Sequence, residues 1–391
     1  MTESIRDSFL LDPEITFLNH GSFGACPKPV FARYQEWQRE LEWNPVAFVQ
    51  HKTEGYLREA RRALGEFLGT NGETLVYFPN PTTAANMVIR SLNLQPGEEI
   101  LTSNYEYGAM DNTWDYYCGQ TGAKYIHQNF PLPATSAEGW IEALWEGVTE
   151  NTRMIFLSHI TSSTALIYPI KEICERARKE GILTFIDGAH APSQIDLNID
   201  DLDCDYYTAA CHKWMCAPKG SAFVYVAPQH QCSIIPIVIS RGWEGCKQPP
   251  KNGENPYVYY QEYQGTRDVS AFLSVPAAIE FQASHNWDAQ RRRCRQLAVE
   301  TQRQICALTG MEPFTAAEAG LFAQFVTVPL PKGSCGTFSE IFKARKIVVP
   351  VFPLAQMDCD VIRVSYQAYN DENDLDMLLE AVKDGLGRNS F

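Results

Sequence analysis

A chain of 391 residues is long enough to bury a large core and to divide into more than one domain. Its composition, 45% hydrophobic and 20% charged, is that of an ordinary globular protein without a biased tract. A formal net charge of −14 repels phosphate backbones and anionic lipid, which argues against nucleic acid and membrane as partners.

The opening MTESIRDSFLLDPEI has no basic region followed by an apolar core, so it does not read as a secretory signal. No apolar run reaches the roughly 20 residues of a bilayer span. The twelve cysteines are scattered without a CxxC pair, a pattern that predicts reduced thiols in the cytoplasm rather than disulfides or a zinc site. The segment TFLNHGSFGACP reads as a short strand and a Gly/Pro loop. Apolar residues at helical spacing predict helix from Pro29 to Leu68. Strands and helices then alternate. ETLVYF, EEILTS, KYIHQNF, RMIFLSHI, ILTFIDGA, DYYTAA and SAFVYVA are strand candidates, several of them apolar on both faces as in a parallel sheet covered by helices. KQPPKNGENPYVYYQ, residues 247 to 261, reads as an irregular exposed loop. Beyond Thr266 to Phe272 the pattern becomes long helices with the short strands QFVTVPL, KIVVPVF and VIRVSYQ, and then a last helix. The expected division is an N-terminal segment of residues 1–28 that enters the active site and packs near the small domain, a large α/β domain of 29–268 and a small α+β domain of 269–391.

In an open α/β sheet, ligands bind beyond the carboxyl ends of the strands. Three such ends bring Ser158 and Ser162, then Asp187 and His190, then His212 and Lys213. A desolvated lysine forms an imine with an aldehyde, and a carboxylate can keep a pyridine nitrogen protonated. Pyridoxal phosphate uses both. Thr82 and Thr83 in NPTTAAN, at a helix N-terminus, suit its phosphate, and Tyr107 in SNYEYGAM suits stacking on its ring. Each residue also has a plain structural reading. Lys213 can be a surface lysine, Asp187 a turn residue, the threonines helix caps and Tyr107 a packed aromatic. His20 and His159 can be satisfied core histidines, and Arg363 an ion-pair partner. The ordered combination separates the two readings.

NPTTAAN, NYEYGAM, LSHITSSTALIYPI, DGAHAP, HKW and EYQGTRD together resemble the class V aminotransferase family of fold-type I pyridoxal-phosphate enzymes. Within it the chain is most similar to the isopenicillin N epimerase-like branch, as FLNHGSFG and IRVSYQAYN also suggest. The resemblance implies the aspartate aminotransferase-like fold: a mostly parallel central sheet flanked by helices, with a smaller C-terminal α+β domain. It implies that Lys213 carries the cofactor, Asp187 faces the pyridine nitrogen and His190 lies near the phenolic oxygen. Tyr107 stands where many relatives stack a histidine. Ser162 is counted among the cofactor contacts, and Thr82, Thr83 and His212 lie near the phosphate. Gly265 and Thr266 reach the phosphate of a neighbouring subunit, hence a homodimer with shared sites. Arg363 holds the carboxylate of a small amino-acid substrate, and Asn19, His20 and Gly21 line the substrate side. No metal is implied.

Three positions depart from the pattern. Ala210 stands where relatives often carry serine, with Thr208 as a substitute hydroxyl. Ser162 replaces the asparagine usual in cysteine desulfurases. KIVVPVFPLAQMD lacks their reactive cysteine, and Cys359 reads as part of the strand that follows. The expected activity is removal of the substrate's α-proton with Lys213 as base, ending in epimerisation. C–S lysis is the alternative, then transamination, and last a silent protein that only binds the cofactor.

Overall fold

The computed structural model describes residues 5–134, 136–240, 243 and 255–388. After a two-residue strand, β1 (Thr16–Phe17), come two long helices, Lys28–Trp43 and Thr53–Leu68. The second buries Leu57, Ala60, Leu64 and Leu68, three and four residues apart, and closes at Gly69 in the left-handed conformation. The single helix expected from Pro29 to Leu68 is interrupted because Pro45 forces Asn44 out of helical geometry, to φ −154° and ψ 83°.

Seven strands build the central sheet: β2 (Leu75–Phe78), β3 (Glu99–Ser103), β4 (Lys124–Gln128), β5 (Thr152–Ser158), β6 (Leu183–Asp187), β7 (Tyr206–Ala210) and β8 (Ala222–Val226). Their order is β2-β8-β7-β6-β5-β3-β4. Strands β3 to β7 are mutually parallel, and β8 runs against both its neighbours. Every residue of β2, β3, β7 and β8 is buried, as strands covered by helices on both faces require.

The second sheet joins β9 (Phe325–Leu330), β11 (Val351–Leu354) and β12 (Cys359–Ser365) antiparallel in the order β11-β12-β9, while β10 (Ile347–Val348) pairs in parallel with β1. Leu297 and Ile305 of helix Trp287–Thr309, Phe338 and Ile341 of Cys335–Ala344, and Leu378 and Val382 of Glu372–Arg388 share its core with Val328 and Ile362. The helices Ser270–Leu273 and Val275–Ser284 lie elsewhere. Phe272, Val275 and Ala278 share the core of Val30, Leu57 and Leu64, on the two N-terminal helices. The architecture is the expected α/β one, with a mostly parallel sheet and a smaller antiparallel unit. No helix among the described residues is long and apolar enough to cross a membrane.

The expected loop at 247–261 is corrected in its second half; residues 247–254 lie outside the described residues. Pro256–Glu262 is a helix, because Asn255 accepts the N–H of Tyr257, Pro256 occupies the first turn, and Tyr257, Val258, Tyr260 and Gln261 are buried. The aromatic residues that looked irregular are its core face.

Candidate active site

Ser158 and Asp187 end adjacent strands and are register partners, and His212 and Lys213 follow the end of β7. With Tyr107 and Thr82 they line one cavity of about 200 Å³. Asp187 is 5% exposed, and its Oδ1 accepts the N–H of Ala189 at 2.9 Å. Burial raises its pKa, opposed by that hydrogen bond and by the charge of Lys213. The turn after it requires glycine, since a Cβ on Gly188 would stand 2.2 Å from the Tyr207 ring.

Lys213 is half-buried, and desolvation of its amine lowers its pKa to about 8, with Asp187 opposing and Arg363 reinforcing. Its Nζ lies 3.1 Å from His190 Nε2, and the indole N–H of Trp214 donates to His190 Nδ1 at 3.1 Å. The His190 ring stacks on Phe325 with centroids 5.0 Å apart. His212 donates its Nδ1–H to the Ser221 carbonyl at 2.8 Å, and burial lowers its pKa to about 4.

At the other end of the cavity the helix Pro81–Ser91 begins. Its cap, Asn80, was not singled out from sequence. Asn80 Oδ1 accepts both the N–H and the hydroxyl of Thr83, at 2.8 and 3.0 Å. Asn80 and Thr82 line the cavity, while Thr83 is engaged in the cap. Thr208 does not stand in for a serine at Ala210: its hydroxyl is buried and donates to the Phe223 carbonyl at 2.9 Å.

Arg363, on β12, is 7% exposed. Its Nη1 donates to the Ser162 carbonyl and hydroxyl at 2.7 and 2.9 Å, and its Nη2 to Ser22 Oγ at 2.8 Å. All these acceptors are neutral. Nε is buried without a partner among the described residues, and burial lowers the guanidinium's pKa to about 10. Ser162 therefore serves the guanidinium as well as the cavity wall. Ser22 Oγ–H donates in turn to Asn19 Oδ1 at 2.6 Å.

Residues 19 to 21, expected on the substrate side, lie beside the cavity rather than among its lining residues. His20 is fully buried, bonded to the Tyr369 hydroxyl at 2.9 Å and the Lys213 carbonyl at 3.0 Å. Gly21 packs against Ser365 and Trp214. Both support the lysine turn from behind, Asn19 acts through Ser22, and the residues that reach the cavity are Ser22 and Phe23. This segment passes so close that a Cβ on Gly24 would stand 2.2 Å from the His212 carbonyl. Gly265 and Thr266 are exposed, and Thr266 lines a separate surface cleft with His51, Glu262 and Tyr263. One chain does not bring them to its own cavity.

Sequence reasoning also missed Glu106. It is buried and accepts from Ser103 Oγ at 2.6 Å and from the Ser158 N–H and hydroxyl at 2.9 and 2.6 Å. Burial raises its pKa to about 8. The signal was a carboxylate directly before Tyr107.

This residue set fits pyridoxal phosphate: a half-buried amine of lowered pKa, a buried carboxyl at a neighbouring strand end, a helix N-terminus carrying Thr82, and a guanidinium whose acceptors among the described residues are all neutral. Fold and site together define an α/β enzyme of the fold-type I pyridoxal-phosphate class. The class-V aminotransferase family model matches residues 20–378, and the chain belongs to that family. It is 35% identical to an isopenicillin N epimerase of Amycolatopsis lactamdurans and 32% identical to that of Streptomyces clavuligerus, each over 97% of both chains. It is 25% identical to a probable chloroplastic L-cysteine desulfhydrase of Arabidopsis thaliana, over 97% of this chain and 84% of that one. The fold is shared with a cysteine desulfurase of Thermococcus onnurineus NA1, at a TM-score of 0.82, 18% identity and 98% coverage of both chains.

Proposed function

We propose that this chain is a pyridoxal-phosphate enzyme that removes and returns the α-proton of an amino-acid substrate, as an epimerase does. The observation that carries the reading is one cavity lined by Lys213, its pKa lowered to about 8, and by Ser22 and Ser162, the neutral acceptors of the buried Arg363 behind them. When bound, pyridoxal phosphate supplies the electron sink that makes the α-proton acidic. Lys213 would carry it, Asp187 would hold its pyridine nitrogen protonated, and Thr82 with the helix N-terminus would hold its phosphate. Arg363 presents a planar fork that suits a substrate carboxylate. Lys213 Nζ would accept the substrate's α-proton as general base. Epimerisation needs a proton returned on the opposite face. Tyr107 and Phe23, which line the cavity, are 48% and 71% exposed, so water has access there.

The two relatives named as epimerases, similar over nearly the whole chain, support this outcome. The relative named as a desulfhydrase supports C–S lysis as the second reading, ahead of transamination. The test is incubation with amino acids, including cysteine and cystine, in deuterated water. Deuterium at the α-carbon with inversion and no keto acid supports epimerisation. Sulfide and keto-acid release moves the assignment to the lyase. No exchange with any substrate contradicts the shared mechanism.

We further propose a cytoplasmic homodimer with shared sites. Free thiols at every cysteine among the described residues support the compartment. The exposure of Gly265 and Thr266, and of Trp43 at 91% and Val46 at 61%, supports a contacting copy. Mixing Lys213→Ala with Thr266-loop-deleted subunits should restore part of the activity. A fully active monomer in sedimentation contradicts the shared site.

A further inference from the structure

Trp214 has no place in the chemistry described so far, yet its indole nitrogen makes a contact that fixes a proton. It is 1% exposed and packed against His20 and Phe325, with ring centroids 5.1 and 5.4 Å apart. Its carbonyl accepts from Gln282 Nε2 at 3.0 Å, so backbone and ring are both held. An indole N–H can only donate. Its 3.1 Å contact therefore requires a lone pair on His190 Nδ1. A neutral imidazole then carries its one hydrogen on Nε2, which lies 3.1 Å from Lys213 Nζ. The hydrogen bond runs from ring to amine, and only an unprotonated amine can accept it. A charged ammonium would need the opposite tautomer, with Nδ1–H set against the Trp214 N–H. An imidazolium meets the same conflict.

We propose that Trp214 is a positioning residue that locks His190 in its Nε2–H form, so that His190 acts as a fixed donor favouring the unprotonated amine of Lys213. This rests on the reading of Lys213 as the cofactor-carrying base. In this arrangement the His190 ring donates its one hydrogen to the amine. The other charged or titratable groups facing this pair are Asp187, Arg363 and His20, and they stay in place in the variants below.

The test uses the full-length chain, with and without pyridoxal phosphate, and reads the tautomer directly. Histidine labelled with nitrogen-15 gives distinct long-range proton–nitrogen patterns for the two forms, and His190 is assigned by its loss in His190→Gln. The wild-type chain should show Nε2–H at pH 9, where the amine is unprotonated, and Trp214→Phe should show mixed forms. The second reading is reductive methylation of Lys213 by formaldehyde in the cofactor-free chain. In Trp214→Phe the ring can turn an acceptor toward the ammonium, so labelling at pH 7 should fall about tenfold, the effect of a one-unit rise. His190→Gln should keep the wild-type profile, since its amide can accept from the indole and donate to the amine at once. An Nδ1–H form in the wild-type chain at pH 9 overturns the proposal even if Trp214→Phe fails to fold. So does an unchanged labelling profile in a folded Trp214→Phe. Neither result touches cofactor binding by Lys213, which is read separately by absorbance.

Discussion

The floor and the far wall of the cavity are built in opposite ways. On the floor, Asp187, His190 and Lys213 come from adjacent strand ends of one sheet, and each meets a partner inside the protein. On the wall, Ser22 of the N-terminal segment lines the cavity and Arg363 of the second sheet stands behind it, 341 positions away in sequence. On the floor, His190 links Lys213 to Trp214, and Asp187 is held by the Ala189 N–H. The wall holds a buried cation with neutral acceptors and an orphaned Nε. Burying a charge without a counter-charge is costly unless function requires it. The difference supports the proposal that the floor takes the resident group and the wall an anion that comes and goes.

Lys213→Ala should break the floor most severely. Losing the base should lower α-proton exchange by about 10⁴-fold, the upper end of general-base contributions. Cofactor retention through the phosphate end, read by dialysis, should fall much less. Arg363→Leu should break the wall alone. Removing one partner of a buried charge pair costs about 2–5 kcal/mol, so kcat/KM for amino acids should fall about 30- to 4,000-fold. Simple amines lacking the carboxylate should be turned over equally well by both forms. An equal loss for amines would remove Arg363 from carboxylate binding.

The pH dependence of cofactor capture sharpens the floor. Only the unprotonated amine attacks an aldehyde, and burial lowers the Lys213 pKa to about 8. The capture rate of the cofactor-free chain, followed by visible absorbance, should rise about tenfold per pH unit below 8 and level off above it. A rise continuing past pH 10 would mean an ordinary exposed lysine. The smallest effects lie at the phosphate end. Thr82→Val should weaken the cofactor about tenfold, as the loss of one hydrogen bond to a charged group does. Thr83→Val should weaken it less and mainly lower the melting temperature, because its hydroxyl is bonded to Asn80. The reverse ranking would put Thr83 at the phosphate.

The same contrast explains what was legible in the sequence. Asp187, Lys213 and the helix start at Pro81 each break an apolar run or open a periodic one, so local pattern brings them to one edge of the sheet. Arg363 was reached only through resemblance, and Ser22 not at all, because nothing local in either segment encodes their meeting. His20 and Thr208 were read by residue type, and side-chain direction then set them apart: one supports the Lys213 carbonyl, the other the Phe223 carbonyl. Glu106 and Trp214 stood beside residues of interest, but a hydrogen bond between neighbouring loops is not written in either. The helix Pro256–Glu262 was misread because Pro and aromatics suggested a turn, whereas burial of Tyr257 and Tyr260 decides the conformation.

The central claim is that Lys213 carries the cofactor on this floor. Borohydride reduction of the pyridoxal-phosphate-loaded chain, followed by peptide mapping, tests it most directly. The account predicts loss of visible absorbance and a single reduced cofactor adduct on the peptide containing Lys213. An adduct on another lysine, or none after full loading, would contradict it.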